Sequence, residues 1–206
     1  TMSPSVSRNP VRSRPLGVLA AAAAVAIGLA GCTSTQTDDD TSLLETLREK
    51  GSVTVGFAGE APYSFQENGE LTGATVALHR EIFGNLGIEN IEGVNADFGA
   101  LIPGLQANRF DVVSAGMSIL PERCAQAAFS EPEFNYTTAL MVPEGNPMNL
   151  TDMQSVLDSG ARLATMTGAI ESDYASELGI DNTQVATPQD GMDAVVSGSA
   201  DVFALT

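Results

Sequence analysis

From Val53 onward the hydrophobic pattern switches back and forth between a period of two and a period near 3.6. Val53, Val55 and Phe57 alternate as a strand, and Leu78, Ile82 and Leu86 recur at helical spacing ahead of Gly87. Ile91 to Val94 is a second strand, Ala100 to Ala107 a helix with Pro103 tolerated in its first turn, and Asp111 to Ser114 a third strand. Pro121 opens another helix. This order implies an α/β fold with a largely parallel sheet covered on both faces. The stretch from Phe129 to Pro147 breaks the rhythm with Pro132, Pro143 and Pro147 around an extended run from Tyr136 to Val142, and we take it as a crossing between two lobes. The alternation then resumes: strand at Ala161 to Met166, helix at Ala169 to Leu178, a short strand at Val185, a helix opened by Thr187-Pro188-Gln189-Asp190, and a strand at Asp201 to Leu205. A final strand with no helix after it leads us to expect that a carboxyl-terminal part is missing.

Composition narrows the function. The 206 residues are 43% hydrophobic, enough to bury a sizeable core. They carry 26 acidic against 9 basic residues, a net charge of −17, which excludes nucleic acid as a partner because phosphate binding needs clustered positive charge. One His and two Cys cannot build a closed zinc site, and we expect no metal or other cofactor. The sole His79 is expected as a partly exposed helix residue, and Cys124 as a buried small apolar group.

The amino end is an address. Arg8, Arg12 and Arg14 precede an uncharged run of fifteen residues from Leu16 to Ala30, shorter than the roughly 20 a membrane-spanning helix needs. The run ends in Leu29-Ala30-Gly31-Cys32, which resembles the bacterial lipoprotein box, implying lipidation at Cys32 and removal of what precedes it. A mature chain starting there sets six basic residues against 26 acidic ones, a net −20 that anionic membranes repel, so the lipid must be the tether. The expected organisation is a leader over 1–32, a flexible linker over 33–44, a first lobe over 45–134 and a second over 135–206.

Nucleophilic catalysis and phosphate binding have no motif here: Gly116-Met117-Ser118 lacks the second glycine of a nucleophile elbow, and no Gly-Lys-Ser/Thr occurs. Binding is better supported. Open α/β sheets bind ligands beyond the carboxyl ends of their strands, and those loops carry Glu60, Tyr63, Phe98, Ser118 and Arg123. The strand at 161–166 delivers Thr167, Gly168 and Ala169 to a helix start with free N–H groups. A guanidinium pairs with a carboxylate, while aromatic faces and a carboxylate accept a cation. The combination describes a site for a zwitterion.

These residues carry a family resemblance. Gly56-Phe57-Ala58-Gly59-Glu60-Ala61-Pro62-Tyr63, the stretch Leu101 to Val112 and Pro121-Glu122-Arg123-Cys124 resemble the type II extracytoplasmic solute-binding proteins of ABC importers, closest to the ectoine/hydroxyectoine-binding branch. The resemblance implies two α/β lobes joined by a hinge and closing on a ligand. It implies a lipid-anchored, monomeric protein on the periplasmic face or cell surface, with an ABC permease as partner. Arg123 would take the ligand carboxylate, Glu60 the N–H groups of a cationic ring, Tyr63 and Phe98 would be aromatic walls, and second-lobe contacts would fall at Thr167 to Ala169. Two positions depart from the pattern: Ser118 stands where the ectoine branch is commonly aromatic, and Thr206 where amino-acid binders usually hold an Asp for the ammonium. An unpaired buried ammonium costs several kcal/mol and a lost stacking face about 1, which favours ectoine over a polar amino acid. A cyclohexadienyl dehydratase-like enzyme shares the fold and would need Glu60 as its acid; the expectation is a binding protein, not an enzyme.

Overall fold

The computed structural model describes residues 42–206. The expected leader, Cys32 and the linker as far as residue 41 lie outside them. Helix α1 (Leu43–Lys50) begins inside the stretch expected as linker, because Ser42 and Glu45 form a reciprocal cap: the Glu45 N–H donates to Ser42 Oγ at 3.3 Å and the Ser42 N–H to Glu45 Oε2 at 3.1 Å.

Strand β1 (Ser52–Phe57) leads into a small hairpin, β2 (Phe65–Glu67) and β3 (Glu70–Thr72), and then helix α2 (Ala74–Asn85). Strand β4 (Asn90–Asn95), a 3-10 turn at Phe98–Ala100, helix α3 (Leu101–Gln106), strand β5 (Val112–Val113) and the single turn α4 (Pro121–Cys124) follow. The parallel sheet β4–β1–β5 has β1 at its centre, buried on both faces as a central parallel strand should be. Val53, Val55 and Phe57 pack with Leu47, Leu71, Val76 and Ile88. Elsewhere on the strand Gly56 makes room for the Phe110 ring, which also occupies the space a Cβ on Gly104 would need, so one ring fixes α3 to β1.

The apolar stripe that announces α2 is not the face it buries. Leu78 and Ile82 are exposed, and the helix turns Thr75, Val76 and His79 inward. The cause lies at its start, where the Thr75 hydroxyl donates to the Tyr63 carbonyl at 2.9 Å and meets Ser114 Oγ at 3.0 Å, setting the rotation of the helix. His79 is accordingly buried, with Nε2 2.6 Å from Glu133 Oε1, and is not the partly exposed residue expected. Cys124 is also corrected: it is exposed, because the α4 turn points Arg123 inward and its neighbour out.

The second half builds a separate sheet from β6 (Ala139–Met141), helix α5 (Met153–Ser159), β7 (Leu163–Met166), helix α6 (Ile170–Leu178), β8 (Asn182–Val185), helix α7 (Pro188–Val196) and β9 (Val202–Leu205). Its order is β6–β9–β7–β8, with β6 antiparallel to β9 and the remaining pairs parallel. The Thr187 cap is present as the sequence implies, Thr187 Oγ1 lying 2.7 Å from Asp190 Oδ2. Val156, Leu163, Ala175, Val202 and Ala204 form the core of this half. A further apolar cluster joins the halves, with Phe98, Leu101 and Phe110 from one meeting Met166 and Ala169 from the other.

Candidate binding site between the two sheets

The loops at the carboxyl ends of β1 and β5 are stitched together by buried hydroxyls. Ser64 Oγ donates to the Ser114 carbonyl at 2.7 Å, and Thr75 reaches both loops. The chain from Glu60 to Ser64 closes on itself, with the Tyr63 and Ser64 N–H groups donating to the Glu60 carbonyl at 2.7 and 3.0 Å. It then docks on α2, whose Ala74 and Thr75 N–H groups donate to Pro62 and Tyr63. Gly73 permits that docking: at φ 123°, any Cβ there would lie 2.0 Å from the Tyr63 carbonyl oxygen. Glu60 and Tyr63 are thus held by main chain on every side.

A cavity of about 80 Å³ opens at this point. Glu60, Tyr63, Phe98, Ser118 and Arg123 line it from the first half of the chain, and Ala169 and Thr206 from the second. Of the three residues expected at the α6 start, Ala169 alone forms wall. Thr167 is turned away, its N–H and hydroxyl both donating to the Val185 carbonyl at 2.9 and 3.1 Å. Gly168 contributes its carbonyl to Arg123.

Arg123 is 7% exposed. Its two terminal nitrogens donate to the carbonyls of Ser118 and Gly168, each at 2.9 Å, and its guanidinium carbon lies 5.8 Å from the Phe98 ring centre. One cation therefore spans both halves, and the rest of its planar fork has no hydrogen-bond partner among the described residues. Burial pulls its pKa below the usual arginine value, opposed by the carboxylates of Asp173, Glu122 and Glu171. Glu60 Oε2 accepts the Gly116 N–H at 3.0 Å. Burial pushes the Glu60 pKa up from its ordinary 4.5, and the Gly116 bond offsets this in part.

Residues not expected from sequence complete the wall, chief among them Tyr136. Its ring stands edge-on to Tyr63 at 5.4 Å, and Phe134 packs against both, 6.0 Å from Tyr136 and 5.8 Å from Tyr63. Burial, with Tyr63 and Glu60 nearby, raises the Tyr136 pKa above 10. Tyr136, from the irregular stretch after Pro132, lines the cavity together with Ser118. The sequence signal was there, two aromatics one residue apart after Pro132, but no periodicity ties that stretch to a strand end. Met166, Ile170, Pro188 and Leu205 close the remaining side.

Next to the cavity the two halves touch main chain to main chain. A Cβ on Gly168, whose φ is 76°, would lie 3.0 Å from the Gly99 Cα, and one on Gly99 would lie 3.3 Å from the Thr167 carbonyl oxygen. Among the described residues no cluster of three or more potential metal ligands occurs, and no helix is long and apolar enough to cross a membrane.

Residues 53–196 match the family described as bacterial extracellular solute-binding proteins, family 3. The chain is 40% identical over 167 residues to the Probable amino-acid ABC transporter periplasmic-binding protein y4tE of Sinorhizobium fredii, covering 78% of this chain and 55% of that protein. It spans about half the length of the curated relatives it matches. Among solved structures, EhuB in complex with hydroxyectoine aligns with a TM-score of 0.75 at 33% identity, over 79% of this chain and 65% of that one. The ancestral amino acid-binding protein AncCDT-1, a precursor of cyclohexadienyl dehydratase, aligns with a TM-score of 0.73 at 27% identity, over 80% and 74%.

Proposed function

Because the chain belongs to family 3 of the bacterial extracellular solute-binding proteins, we propose that it is the substrate-binding protein of an ABC importer, taking a small zwitterion of the ectoine/hydroxyectoine class between two lobes joined by a hinge. Solute would pass to a membrane permease, and the lipid at Cys32 would keep the protein beside it.

The observation that carries this reading is the meeting of Arg123, Glu60 and the rings of Tyr63, Phe98 and Tyr136 around one cavity. Arg123 would take the carboxylate as a charge-assisted pair. Glu60 would accept N–H groups from the cation, and the rings would cover its faces. A flat, delocalised cation loses less hydration against such walls than a compact ammonium does. The similar structure of EhuB in complex with hydroxyectoine supports the same class.

A polar amino acid is the second reading, supported by the name of the Sinorhizobium relative. Calorimetry with ectoine, hydroxyectoine, arginine, glutamate and cystine separates them. The ectoine pair should bind tightest; micromolar binding of an amino acid with none of ectoine would move the assignment to the second reading. Turnover of prephenate would replace both with a dehydratase in which Glu60 is the acid.

A further inference from the structure

The stretch that carries Tyr136 has little of its own to hold it. From Pro132 to Thr137 the main chain makes no hydrogen bond among the described residues, and the one side-chain hydrogen bond is made by Glu133. Such a stretch keeps the conformational freedom of a loop, and a ring on it stands in one place only where side chains fix it. Two contacts do so here. Phe134 and Tyr136 pack on Tyr63, and Glu133 Oε1 lies 2.6 Å from Nε2 of His79.

His79 comes from α2 and is 8% exposed. Facing a carboxylate, which only accepts, its Nε2 carries the proton, and the ionised acceptor makes the bond a strong and directional one. Nδ1 is buried without a partner, so Glu133 is the one hydrogen-bond partner of the ring among the described residues. Thr75 stands four residues earlier on the same side of the helix. Its hydroxyl holds the Tyr63 carbonyl at 2.9 Å. One face of α2 thus grips both the loop that carries Tyr63 and the stretch that carries Tyr136. Glu133 is also near enough to act on the Tyr136 phenol, whose pKa is raised by burial and then by Tyr63, Glu60 and Glu133.

We propose that His79 and Glu133 are positioning residues for the aromatic side of the binding site: their hydrogen bond clamps the 132–137 stretch to α2 and so sets where the Tyr136 ring stands against Tyr63. Neither lines the cavity, so the pair acts on the solute through the ring alone. The proposal rests on the solute-binding reading given above.

The test is a cycle with Tyr136→Ala, read as affinity for ectoine by calorimetry on the full protein. Glu133→Ala should weaken binding about fivefold, and Glu133→Gln, which keeps an acceptor for the Nε2 proton, should restore it to within about twofold of the parent. Placed in Tyr136→Ala, the Glu133→Ala change should cost less than about twofold more, because the ring through which it acts is gone; a role independent of the ring would add in full. In the solute-free protein, Glu133→Ala should move the near-ultraviolet dichroism of tyrosine in the direction that Tyr136→Phe moves it, these 206 residues holding three Tyr and no Trp. His79→Leu should repeat the loss of affinity. Where it does not fold, Glu133→Ala decides alone, since its residue lies on the exposed stretch. Unchanged affinity or an unchanged spectrum in Glu133→Ala, or full additivity in the double variant, with binding still lost in Arg123→Ala, would overturn this proposal and leave the site standing. Binding retained in Arg123→Ala would instead overturn the site, and this proposal with it. If arginine binds and ectoine does not, the cycle is read with arginine and the same outcomes; binding of neither overturns both proposals.

Discussion

The two halves of the chain contribute unlike chemistry to one cavity. The half built on β4–β1–β5 and the segment after it brings Glu60, Arg123 and the aromatic rings. The half built on β6–β9–β7–β8 brings Met166, Ala169, Ile170, Leu205 and Thr206. The Glu60 side is held by buried hydroxyls and main-chain bonds within its own half, whereas Arg123 is finished by a carbonyl from the other. On the proposed reading, recognition falls to the first half and cover to the second. Under the proposed function, closure would expel water from a charged floor already in place and strengthen each electrostatic contact beneath it.

The contrast can be broken most easily at Arg123. Arg123→Ala should weaken solute binding by about 100-fold or more, because it removes one member of a desolvated charge pair and one of the ties between the halves; calorimetry reads it, and a loss under threefold would contradict the assignment. Next is Glu60→Gln, with an expected loss of about tenfold and a changed pH profile. The folded Glu60 pKa lies above 4.5, so its contribution to the stability of the solute-free protein is full below 4.5 and is lost as pH rises through the folded value. Solute binding runs the other way: it needs the carboxylate and should weaken as pH falls through that same value. Glu60→Gln should flatten the dependence. Tyr136→Ala should cost about five- to tenfold and Tyr136→Phe almost nothing, since the ring face is what is used.

The smallest effect is expected far from the cavity. Arg162 holds Asp201 through two side-chain bonds of 3.0 and 2.6 Å and a main-chain bond of 2.8 Å, lowering the Asp201 pKa from 3.8 to about 2. The depressed value means stability that is present above 3.8 and lost as pH falls toward 2. Asp201→Asn should therefore reduce acid sensitivity in thermal melts. At neutral pH it should shift Tm by only about one or two degrees, because the pair faces solvent, and leave solute affinity unchanged.

How much of this is legible in the sequence follows from what each part depends on. The strands are legible because β1 is buried on both faces and Val53, Val55 and Phe57 declare it. The strand ends come with them, which is why Glu60, Tyr63, Phe98, Ser118 and Arg123 can be named in advance and are found around one cavity. Tyr136 is not legible, since its position comes from ring packing in an irregular segment rather than from a periodic element. The buried face of α2 is not legible either: the hydroxyl of Thr75 sets the rotation, against the apolar stripe of Leu78 and Ile82. Helix α5 is a different case, because Asp152 and Ser155 form a reciprocal cap of the kind read correctly at Thr187.

The Gly99–Gly168 approach has a consequence for the spacing of the two halves beside the cavity. At that edge the gap is gauged by bare peptide, so a single added methyl acts as a shim. A shim there would have to push one main chain from the other by a few tenths of an ångström, and at Gly168 it would also strain a backbone at φ 76°.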